Sequence, residues 1–87
     1  MRIDALLLTR DFLLHRVVER TLQAFAIGLE HHTNGQQGLQ RVAYWKFSAV
    51  FADCDHDDGL SLLETTRLEA RNRAHAVAIG LRESLIE

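Results

Sequence analysis

The densest run of chemically capable side chains is Asp53-Cys54-Asp55-His56-Asp57-Asp58-Gly59-Leu60-Ser61-Leu62-Leu63-Glu64. Carboxylates alternate at Asp53, Asp55 and Asp57, and Ser61 and Glu64 add oxygens further on. Such a set suits a hard cation, which takes about six to eight oxygen ligands. The same residues also have structural uses. Ser61 and Glu64 form a Ser-x-x-Glu capping box, and Asp57 and Asp58 suit the positive end of a helix that follows. Gly59 suits the turn between.

In spacing, the segment resembles an EF-hand calcium loop. With Asp53 first, Asp55, Asp57, Ser61 and Glu64 occupy its third, fifth, ninth and twelfth positions. The resemblance implies calcium bound by Asp53, Asp55, Asp57, Ser61 and Glu64 between two helices, and it covers only this loop and its flanks. The sixth position holds Asp58, with Gly59 one place late. The apolar residues before the loop fit a register two residues later, with Phe47, Val50, Phe51 and Cys54 in the expected places. A lone loop of this kind implies pairing through dimerisation. Elsewhere, Arg10 and His15 resemble the Arg-x4–6-His signature of HEPN ribonucleases, which would make the chain a helical nuclease.

Other chemistry is sparse. Adjacent His31 and His32 would diverge by about 100° on a helix, so a helix C-terminus explains them better than a shared metal. There is no His-Glu-x-x-His, no glycine-rich phosphate loop and no nucleophile–base arrangement. Cys54 is alone, which excludes an internal disulfide and a disulfide-stapled scaffold. A net charge of −2 gives no case for nucleic acid or an anionic membrane. The apolar stretch from Ala5 to Leu8 is too short to span a bilayer and lacks a signal peptide's basic head. A cytoplasmic protein is the expectation.

Positioning elements follow from periodicity. The 87 residues suffice for one domain, and an apolar content of 47% suffices for a core. Apolar spacing predicts helices over about 3–32, 39–52 and 61–86, with a break possible where Thr9 or Asp11 can cap a new helix. The expected fold is all-α, a three-helix antiparallel bundle completed by dimerisation. Two of its helices are apolar around more than one face, and surplus apolar surface marks an interface. All bases except Lys46 are arginines, suited to a partner's carboxylates. The leading functional expectation is a non-enzymatic regulator, inhibitor or adaptor with no cofactor. It would dock on another protein or on itself through Tyr44, Trp45, Arg71 and Arg73. A calcium-binding module and a HEPN-like ribonuclease are the alternatives.

Overall fold

A computed structural model describes residues 3–44, 47–72 and 77–81. The chain alternates strand and helix: β1 (Ile3–Leu8), α1 (Phe12–Gln23), β2 (Gly28–His32), α2 (Gly35–Tyr44), β3 (Ala49–Asp53), α3 (Gly59–Asn72) and β4 (Val77–Leu81). The strands form one parallel sheet in the order β2-β1-β3-β4. The expected all-α bundle is therefore wrong. Among the described residues, no helix is long and apolar enough to cross a membrane.

The reason lies in burial. A parallel strand covered on both faces is apolar at every position, with no alternation to betray it. Leu6, Leu7 and Leu8 are all fully buried. Their run, read with the apolar residues of α1, mimics one long helical stripe. The real break falls at Thr9-Arg10-Asp11, where the Asp11 carboxylate caps α1 by accepting from the Leu13 and Leu14 amides at 2.9 and 3.3 Å. The helix ends in a turn closed by Ala26 N–H to Gln23 C=O and Ile27 N–H to Leu22 C=O, with Ala26 at φ 59°. That left-handed position usually belongs to glycine, so no glycine marked the end of α1. His31 and His32 are strand residues of β2, not a helix terminus. Ser61 lies inside α3, which starts at Gly59 directly after Asp58, so Ser61 and Glu64 do not form the expected capping box.

β1 runs down the middle of the sheet, with Leu6 beside Val50 and Leu8 beside Ala52 of β3. Side chains alternate between the two faces. Leu6, Leu8, Val50 and Ala52 join Val42 of α2, Leu62 and Leu63 of α3, and Phe47 in the main core. α1 packs on β2. The β1-to-β2 connection runs toward one edge, while the next two run back across the sheet. Right-handed crossovers then place α1 on one face and α2 and α3 on the other.

Candidate functional site

Between β1 and β3 the chain reverses its direction of winding, and the strands' carboxyl ends open into a crevice there. In open parallel sheets this switch point is where ligands bind. Here it is a cleft of about 280 Å³ lined by Arg10, Asp11, Asp53, Asp55 and His56.

Asp53 ends β3 and is 3% exposed. Its Oδ2 accepts from the Thr9 hydroxyl at 2.6 Å, and its Oδ1 accepts from the Asp55 amide at 2.9 Å. Buried carboxylates need such donors to offset lost hydration. Thr9, also fully buried, follows β1 directly, and its Oγ1 accepts from the Asp11 amide at 3.0 Å. Since the Asp11 carboxylate caps α1, a continuous set of hydrogen bonds joins Asp53 to Thr9, Asp11 and the first turn of α1.

The β3–α3 loop is held from two sides. His56 is buried, and its Nε2–H donates to the Thr33 carbonyl at 2.8 Å while Nδ1 accepts from the Asp58 amide at 3.0 Å. That pattern requires the proton on Nε2. Gly59 leaves room for the Asp53 carbonyl, into which a Cβ would run. Arg10 reaches across the mouth of the cleft to Asp57 at 3.8 Å, an exposed and therefore weak pair.

Behind the cleft, His31 Nε2–H donates to the Thr9 carbonyl at 2.8 Å, and its ring stacks on His15 with centroids 3.9 Å apart. Burial lowers the pKa of His15, the charge of His31 lowers it further, and Glu19 at 3.8 Å opposes both. At the sheet edge, Arg41 of α2 donates to Glu30 of β2 at 2.7 and 3.0 Å. That contact chiefly lowers the Glu30 pKa, with His32 at 2.6 Å adding to it against desolvation, and it raises the pKa of Arg41.

No family model matches the chain, and no curated protein matches it significantly. Solved structures do. A sensor protein from Polaromonas sp. JS666 superposes with a TM-score of 0.73 at 22% identity, over 100% of this chain and 72% of that one. The receiver domain of a sensor histidine kinase from Pseudomonas aeruginosa PAO1, with magnesium coordinated in its active-site cleft, gives 0.64 at 21% identity. That match covers 88% of this chain and 66% of the neighbour, just under two thirds of its length. The chain folds like a receiver domain.

This receiver-like fold overturns the EF-hand reading and the calcium role that rested on it. Asp53 closes a strand instead of following a helix, and Ser61 and Glu64 belong to α3. Of the five expected ligands only Asp53 and Asp55 line the cleft, and Asp57 lies outside it against Arg10. Among the described residues, no three His, Cys, Asp or Glu side chains are grouped to hold a metal ion. The HEPN reading falls with the helical bundle: Arg10 lines the cleft, whereas His15 stacks on His31. Of the expected docking residues, Trp45 and Arg73 lie outside the described residues. Tyr44 ends α2, and Arg71 sits in the last turn of α3.

Sequence reasoning singled out Asp53 and Asp55 through an EF-hand loop that the fold does not contain, and missed His56. It treated Thr9 and Asp11 as helix caps and Arg10 as half of a nuclease pair. The available signal was a short apolar run ending in polar residues, twice: Ala5–Leu8 then Thr9 to Asp11, and Ala49–Ala52 then Asp53 to Asp55. Two such runs read as neighbouring parallel strands would have put their ends together.

Proposed function

We propose that the chain is a receiver-like signalling domain that acts without catalysis, by docking on a partner protein through α1. The observation that carries the reading is the hydrogen-bonded path from Asp53 through Thr9 and Asp11 to the first turn of α1. It links a buried carboxylate at the switch point to the helix that presents the most exposed apolar surface. Phe12, Leu13 and Val17 are 79%, 73% and 62% exposed, although α1 turns Leu14, Val18 and Leu22 toward the sheet. Arg16 and Arg20 are exposed beside them. An apolar strip bordered by guanidinium groups fits a partner that offers apolar side chains ringed by carboxylates. The receiver-like neighbours, one a sensor protein and one part of a sensor kinase, support a signalling context.

A two-variant capture experiment tests this. The protein is cross-linked in its native cell, and the captured partner is compared between wild type, Leu13→Ser and Thr9→Val. Leu13→Ser should lose the partner with its fold intact, and Thr9→Val should weaken capture by disturbing the path from Asp53. A partner captured equally by all three would remove the reading.

A further inference from the structure

We propose that Arg10 takes the place of a metal ion in this cleft, so that the site works without magnesium. The inference deepens the receiver-like reading and rests on it. The Pseudomonas neighbour has magnesium coordinated in its active-site cleft. Magnesium is held by one or two carboxylates together with waters, in a strict octahedron. Two of the three carboxylates lining this cleft, Asp11 and Asp53, already accept hydrogen bonds from the chain itself.

Asp11 spends Oδ1 on the Leu13 and Leu14 amides. Asp53 accepts from a hydroxyl on one oxygen and from an amide on the other. Asp55 is exposed, and its own amide serves Asp53. These donors are the chain's own, and they replace the hydration that the carboxylates lose.

Arg10 supplies a positive charge. It lies between Thr9, which holds Asp53, and Asp11, which caps α1, and it lines the same cleft. Its guanidinium is always protonated and carries only hydrogen-bond donors, so it adds charge without a ligand atom. A guanidinium at the mouth disfavours an arriving dication. Arg10, the second residue after β1, thus stands where a cation would otherwise be needed.

The test is a titration of the whole chain with magnesium chloride alone, followed by backbone amide shifts of Asp11, Asp53 and Asp55. Wild type should show no saturable shift at millimolar magnesium. Arg10→Asp changes an exposed side chain, removes the guanidinium and adds a carboxylate at the mouth. It should bind magnesium saturably, with the largest shifts at Asp53 and Asp55. Saturable binding by wild type overturns the proposal, and so does an Arg10→Asp protein that stays indifferent to the ion. Either result leaves the partner-capture comparison of Leu13→Ser standing on its own, so failure of this inference is distinct from failure of the docking reading.

Discussion

The two faces of the sheet differ in how completely they are closed. On the α2–α3 face, Leu6, Leu8, Val50, Ala52, Leu62 and Leu63 are buried to within 1%. On the other face Ala5 and Leu7 of the sheet are equally buried, but α1 buries none of its own residues and leaves Phe12, Leu13 and Val17 in solvent. Parallel sheets need cover on both faces. The α2–α3 face is therefore packed from both sides, whereas the outer surface of α1 is where change is tolerated. The cleft joins them, because Thr9 and Asp53 sit where the two faces share the carboxyl ends of β1 and β3.

The sharpest way to break that contrast is a matched pair of truncations. Leu62→Ala on the closed face should cost about 3–4 kcal/mol, since it leaves a cavity in a fully packed site. Leu13→Ala should stay within about 0.5 kcal/mol, as surface substitutions do. Equal losses in denaturant unfolding would mean that α1 is as deeply packed as α3. Next in size is His56→Ala, which leaves the Thr33 carbonyl and the Asp58 amide without their imidazole partner. About 2 kcal/mol should be lost, judged by the cost of stranding buried polar groups. A loss confined to a few tenths would show that water replaces the ring and that the loop is looser than the cleft requires.

The smallest effect is a pH dependence of the α1 face. The folded pKa of His15 lies below its ordinary 6.5, so the folded state binds its proton less readily than the unfolded chain. The contribution is complete above that value and is lost as pH falls below it. Glu30 has a lowered pKa too, but its stabilisation is lost only in the acid range, below the ordinary carboxylate value of 4.5. The two windows are separate. Melting temperature should thus decline from neutral to mildly acidic pH, and His15→Gln should flatten that part of the curve. An unchanged slope in His15→Gln would place the titration elsewhere.

The same contrast explains what could be read from the sequence. The apolar spacing within α1 was legible, as was Asp11 as a possible cap. The strands were not. Leu6-Leu7-Leu8 and Val50-Phe51-Ala52 are too short and too uniformly apolar to show a period of two, and flanking helices absorbed them into longer stripes. With the strands lost, Thr9 and Asp53, 44 residues apart, had no reason to meet. The acidic loop stood out for its composition, yet its meaning comes from a partner on β1 that no local pattern contains.

The claim that the cleft is tied to α1 is tested most directly by hydrogen exchange in Thr9→Val. The substitution keeps the volume of a fully buried side chain and removes the hydroxyl that donates to Asp53 and accepts from Asp11. With about 1 kcal/mol lost from that connection, the Leu13 and Leu14 amides should exchange roughly fivefold faster while the α3 core amides keep their protection. Unchanged exchange at Leu13 and Leu14, with the change confined to Asp53 and Asp55, would contradict the account.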